Sequence, residues 1–127
     1  VTRMIGVHDC GLVVNMLTTK NQIQGGMIGE IGYVTMENRL LDADTGIMPN
    51  ADMENYKIPG ALEMPDFNIT MFDESERGVI GVGEPPAIPG VGAIANAIAN
   101  AIGAHFYETP ITPDKVLMAI QGKEGKS

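Results

Sequence analysis

Glu84 stands between a glycine-rich stretch and a proline pair, in Gly81-Val82-Gly83-Glu84-Pro85-Pro86. Prolines fix the backbone path after it and glycines permit tight turns before it, so its carboxylate is carried on a shaped loop. A carboxylate held in this way works as a general base if burial raises its pKa. The successive N–H groups of Gly81, Val82 and Gly83 can face an anionic ligand. The same residues also fit a plain surface turn whose acid points to solvent, and the residues alone leave both readings open.

The other reactive side chains carry less. On a strand, His8 and Cys10 would share a face, which permits a thiol–imidazole pair, but a buried strand end with an inert thiol is the preferred reading. His105 has no ligand set near it in sequence, and Ser75 and Ser127 lie in no nucleophile elbow. Cys10 is the single cysteine, so there is no internal disulfide, and no thiolate set for zinc or an iron–sulfur cluster. The Gly81–Glu84 loop is not a dinucleotide fingerprint, because prolines stand where that motif begins its helix, and no Walker lysine follows it.

Several elements must position Glu84. Residues 3 to 8 read as a short buried strand ended by the turn-prone Asp9-Cys10-Gly11. From about Lys20 to Asn38, Ile23, Met27, Ile31 and Val34 recur at helical spacing, with Gly25, Gly29 and Gly32 on roughly the opposite side. Each glycine costs a helix about 1 kcal/mol relative to alanine. The stripe therefore predicts a close neighbour, either a packed backbone or a ligand edge.

Residues 39 to 66 carry turn residues without sustained period and predict an irregular excursion of the kind that wraps a neighbour or serves a site. Residues 69 to 72 read as a strand, followed by an acidic turn at residues 73 to 76. Val91, Ile94, Ala95, Ile98, Ala101 and Ile102 mark one face of a helix that Gly103 closes. His105 to Tyr107 fit an edge strand, and Thr112-Pro113-Asp114 begins a helix with Val116, Leu117 and Ile120 on its apolar side. The predicted class is α+β, short strands with two or three packed helices.

The chain has 127 residues with 44% hydrophobic and 5% aromatic side chains, which limits it to one domain at most. A formal charge of -8 would repel a phosphate backbone, so nucleic acid is an unfavourable partner. No apolar run is long enough to span a bilayer, and Val1-Thr2-Arg3 does not read as a basic-then-apolar signal. These features fit a reducing, cytoplasmic setting. Opening directly into a strand is the expectation for a cut through a larger subunit, with N-terminal processing as the alternative.

Gln22-Ile23-Gln24-Gly25-Gly26, Tyr56-Lys57-Ile58-Pro59, Gly81-Val82-Gly83-Glu84-Pro85-Pro86 and Thr109-Pro110-Ile111-Thr112-Pro113 occur in that order, with Asp9-Cys10-Gly11 and Asn15 ahead of them. In order and spacing the set resembles the C-terminal part of the molybdopterin-binding subunit of molybdenum hydroxylases, the xanthine dehydrogenase and aldehyde oxidoreductase family. The likeness covers nearly the whole chain. Residues 1–122 would be a segment of the molybdopterin-binding domain, and residues 123–127 a frayed, charged tail.

The resemblance implies that Glu84 is the base that acts on the oxygen attacking the substrate carbon. It also implies that Gly81, Val82 and Gly83 lie near the pterin and that Gln22 hydrogen-bonds to it. Molybdenum would be held through the pterin's sulfurs, with no metal ligand from this chain. The cofactor would be molybdopterin, in the cytosine dinucleotide form common in bacterial relatives, with iron–sulfur and FAD groups on partner subunits or domains. The substrate would be an aldehyde or an N-heterocycle. Met16 departs from the proline common after Asn15, and Ile80 from the lysine frequent before the Gly-Glu pair. Family subunits are several times longer, so the isolated chain would be inactive. The competing readings are a non-catalytic domain that docks on a partner and, more generically, an anion-binding loop.

Overall fold

A computed structural model describes residues 1–72 and 75–122, which form two parallel strands and three helices. Strand β1, Arg3–His8, pairs in parallel with β2, Asp66–Met71, in a register running from Arg3 opposite Asp66 to His8 opposite Met71. Parallel neighbours need a long crossover. Here it contains helix α1, Met16–Thr35, which packs on the inner face of the pair. The chain thus contains a β–α–β unit upstream of the Gly81–Glu84 loop, which follows β2 and leads into a 3₁₀ turn at Pro85–Ala87.

Helix α1 begins four residues before the sequence reading because Asn15 caps it, its side chain accepting from the Thr18 N–H at 3.1 Å. It ends before Asn38 because the Gly32 carbonyl accepts from both the Met36 and Glu37 N–H groups, at 3.0 and 2.9 Å. Ile23, Met27, Ile31 and Val34 are all buried, as their spacing predicts. They join Met4 of β1, Ile69 of β2, Ile94 and Ile111 in one core.

Helix α2, Gly90–Ile102, crosses this core and stops at Gly103, whose φ of 73° is left-handed and whose N–H donates to the Ala99 carbonyl at 2.8 Å. Helix α3, Pro113–Ile120, starts at Thr112-Pro113 as expected. Only Val116 of its predicted apolar side packs on the core; Leu117 and Ile120 stay exposed.

The glycine stripe needs correcting. A side chain at Gly26 would meet Pro86 at 3.0 Å, and one at Gly32 would strike Glu37 and Pro59, but Gly25 faces open space and Gly29 meets only Tyr33. The close neighbours thus lie against Gly26 and Gly32. Strand β1 is also not buried throughout, since Met4 points to the core while Ile5 and Val7 are exposed on the other face. Residues 105–107 form no strand.

The 39–66 excursion is irregular up to the 3₁₀ turn at Ala61–Glu63 and the start of β2. Buried Asn50 pins it, donating to the Asn38 carbonyl at 2.7 Å and accepting from the Leu40 N–H at 3.2 Å. The tail at 123–127 and the first two residues of the acidic turn, 73–74, lie outside the described residues.

Candidate functional site

The turn that ends β1 holds the glycine loop by its backbone. Leu12 N–H donates to the Gly78 carbonyl at 2.8 Å, and Ile80 and Gly81 N–H groups donate to the Cys10 carbonyl at 3.0 and 3.3 Å. Gly11 and Val79 form an antiparallel bridge. This approach requires glycine at position 11, because its φ is +65° and a Cβ would fall on the Gly78 carbonyl oxygen. Asp9 accepts from the Gly11 N–H at 2.8 Å and pairs with Arg77 at 2.6 Å, so the turn and the loop's first residues share one acid.

One consequence alters the anion-binding expectation. The Gly81 N–H is turned inward to Cys10, which leaves Val82 and Gly83 as the amides of the predicted trio outside that bond. Val82 packs its side chain on the core, while Gly81 and Gly83, at φ values of +96° and +58°, are exposed on either side of it.

Glu84 heads the 3₁₀ turn at Pro85–Ala87, its carbonyl accepting from the Ala87 N–H at 2.9 Å. Its backbone is thereby fixed. Its side chain is exposed and makes no capping hydrogen bond, so the chain itself does not bury this carboxylate. Pro86 is buried against Gly26 of α1. Gln22 lies one helical turn before Gly26, and residues four apart share a helix face. Pro86 therefore packs on the face of α1 that Gln22 shares with Gly26, and Gly81, Val82, Gly83 and Glu84 belong to the loop that leads into it. Gln22 is exposed and enters none of the hydrogen bonds of the described residues.

A second acid of this region escapes motif reading. Glu30 is 1% exposed, and its Oε1 accepts from the Gly90 N–H, the first amide of α2. The residue before that helix is Pro89, which has no side-chain acceptor to cap it, so an acid from α1 caps α2 instead. Burial raises the Glu30 pKa above its usual value, opposed by hydrogen bonds from the Gly90 and Val91 backbone. Gly90 has to be glycine, because a Cβ there would overlap the Glu30 carboxylate. A signal was present in the sequence: position 30 falls within the apolar stripe of 23, 27, 31 and 34.

Cys10 is buried, and His8 Nε2 is buried with no hydrogen-bond partner among the described residues, so no thiol–imidazole bond forms through that nitrogen. Among the described residues no group of three His, Cys, Asp or Glu side chains is placed to hold a metal ion, and no helix is long and apolar enough to cross a membrane. The exposed residues fit a group that brings its own metal ligands: an outward glycine loop with open space at Gly81, a free amide at Gln22 and an unengaged carboxylate at Glu84.

Residues 1–65 match the model of the molybdopterin cofactor-binding domain. The chain is 32% identical over 120 residues to the putative xanthine dehydrogenase molybdenum-binding subunit of Escherichia coli, covering 91% of this chain and 16% of that protein. It is 33% identical over 122 residues to an aldehyde oxidoreductase molybdenum-binding subunit of the same species, covering 92% of this chain and 17% of that protein. Among solved structures, quinoline 2-oxidoreductase from Pseudomonas putida 86 superposes with a TM-score of 0.83 at 28% identity, over 94% of this chain and 16% of that one. Aldehyde oxidoreductase from Desulfovibrio gigas gives a TM-score of 0.80 at 30% identity, over 94% and 13%.

Proposed function

From the premise that the chain belongs to the molybdopterin cofactor-binding family of molybdenum-containing oxidoreductases, we propose that it supplies the catalytic base and one wall of the cofactor site. The base is Glu84; the wall is Gln22 with Gly81, Val82 and Gly83. One observation supports this reading: the Cys10–Leu12 turn is hydrogen-bonded to the Gly78–Ala87 loop, that loop packs Pro86 on Gly26 one turn from Gln22, and the exposed side chains of Glu84 and Gln22 enter no hydrogen bond among the described residues.

The molybdenum–pterin group, when bound, supplies the two-electron oxidising centre. The chain's own residues hold and orient. The amide of Gln22 would hold the pterin by a hydrogen bond, and the Val82 and Gly83 N–H groups would be the loop donors for its polar edge. Glu84 would accept the proton from the oxygen that attacks the substrate carbon, with the rest of the subunit closing over it and excluding water.

The chain spans 16% of the Escherichia coli subunit it matches, so the complete activity belongs to a larger assembly. We assign residues 1–122 to the cofactor-binding segment and treat the isolated chain as inactive. The cofactor is taken as the cytosine dinucleotide form, the partners as the remaining subunit with iron–sulfur and flavin groups, the substrate as an aldehyde or N-heterocycle, and the setting as cytoplasmic.

Glu84→Gln in the complete enzyme is the test. Turnover should fall by about 10²–10⁴-fold with molybdenum content unchanged. Retained turnover rejects Glu84 as the base. A docking domain is the second reading, favoured by the exposed Ile5, Val7, Leu62 and Ile88. It gains if partner binding survives both molybdopterin removal and free substitution of Glu84.

A further inference from the structure

A groove of about 820 Å³ runs between β1 and α2, floored by Ile23, Met27 and Glu30 of α1. One of its walls is the backbone of β1. Thr2 and His8 carbonyls accept from the Asp66 and Phe72 N–H groups of the neighbouring strand segment. In a parallel pair, N–H and C=O of one residue point to the same side and alternate along the strand. The even-numbered residues of β1 therefore bond to β2, and Arg3, Ile5 and Val7 present their N–H and C=O groups to the other edge. That edge has no neighbour among the described residues, since the sheet has two strands.

The outward side chains of the two strands differ in the same sense. Outward side chains of β2 are polar, Asp66, Asn68 and Thr70, whereas those of β1 include Ile5 and Val7, 67% and 68% exposed. Parallel sheets are stable with both faces covered, and exposed apolar edges are otherwise blunted or paired.

We propose that the occupant is an apolar β-strand from the remainder of the same subunit, added to the free edge of β1, so that β1 becomes an interior strand. The relatives supply the argument for this occupant, since matched subunits extend far beyond this segment, which is 16% of their length. Pairing would satisfy the Arg3, Ile5 and Val7 backbone groups and cover the groove beside α2. This inference rests on the segment being part of a larger molybdenum-dependent subunit.

The test is amide-resolved hydrogen exchange on the complete enzyme, with molybdenum content and turnover determined on the same preparation. The Arg3, Ile5 and Val7 amides should be protected at least 100-fold over unstructured rates, together with Met4, Gly6 and His8. Rapid exchange of the odd-numbered amides beside protected even ones, in an enzyme with full molybdenum and turnover, overturns the added strand and leaves the functional reading intact. Protected amides in a subunit that binds no molybdenum do the reverse. An Ile5→Cys variant, cross-linked in the complete enzyme and mapped by mass spectrometry, identifies the occupant. A cross-link within the same polypeptide supports the proposal, and one to an iron–sulfur subunit or a second copy overturns it.

Discussion

Two glutamates stand at the two ends of the short proline-rich stretch from Glu84 to Gly90, and they are opposites. Glu84 is exposed and begins a 3₁₀ turn with its carboxylate unengaged; Glu30 reaches the far end from α1, buried, with its carboxylate committed to the first amide of α2. One acid is left free and the other is committed to architecture. An acid whose hydrogen bonds are complete is held in place, whereas a catalytic acid requires an unfilled bond to exchange a proton. The pair also share a support, because α1 presses Gly26 on Pro86 near the first and places Glu30 under Gly90 at the second.

Breaking the contrast at Glu84 has the largest expected effect. The Glu84→Gln loss of turnover given above should come with an unchanged melting temperature, since nothing in the chain rests on that side chain; differential scanning calorimetry on the complete enzyme checks this. Glu30→Ala should behave inversely. It leaves the Gly90 N–H unsatisfied in a buried site and should cost roughly 2–3 kcal/mol of stability, read by denaturant unfolding of the complete subunit. Any loss of activity should follow loss of folded protein.

Gly90→Ala sharpens the comparison at a smaller scale. Its methyl group collides with the Glu30 carboxylate, for a cost of about 1–2 kcal/mol. Because the two residues touch, the double substitution Glu30→Ala with Gly90→Ala should destabilise by less than the sum of the singles. Additive values would mean that the collision is relieved elsewhere.

The smallest effect is on pH dependence, and its sign separates the buried acid from the surface ones. Burial raises the folded-state pKa of Glu30 above 4.5, so its contribution is fully present below that value and is lost as pH rises through the raised one. The exposed Asp42, Asp52 and Asp114 have lowered values, through hydrogen bonds led by Thr45, Asn55 and Thr112, so their contributions are present above 3.8 and lost as pH falls. Glu30→Gln should therefore flatten the decline in melting temperature as pH rises above 4.5, while leaving the limb below pH 4 unchanged. An unaltered decline in that window would assign it to another group.

How much of this was legible in sequence follows from the same two acids. Glu84 stood in a dense motif of glycine and proline, whose backbone constraints are local and can be read residue by residue. The apolar stripe of α1 was legible for a like reason, because helical periodicity is local. Glu30 was inside that stripe but passed unread, since its partner lies 60 residues away and only tertiary packing brings Gly90 to it. The inward turn of the Gly81 N–H was hidden likewise, as it depends on the Cys10 carbonyl across a long-range bridge. The exposed side of β1 reversed an expectation because an apolar run can be covered by residues outside the segment as well as within it.

The excursion between α1 and β2 has its neck tied by Tyr56, which donates to Glu37 at 2.9 Å, and by Pro59 seated over Gly32. Closing a loop depends only logarithmically on its length, with each doubling adding about 0.6 kcal/mol. A loop fastened at the neck can therefore lengthen at its tip, around the turn made by Asp42, Thr45 and Ile47, without moving the elements that frame Glu84. Insertions of ten or so residues there are the changes in length this fold should absorb most easily.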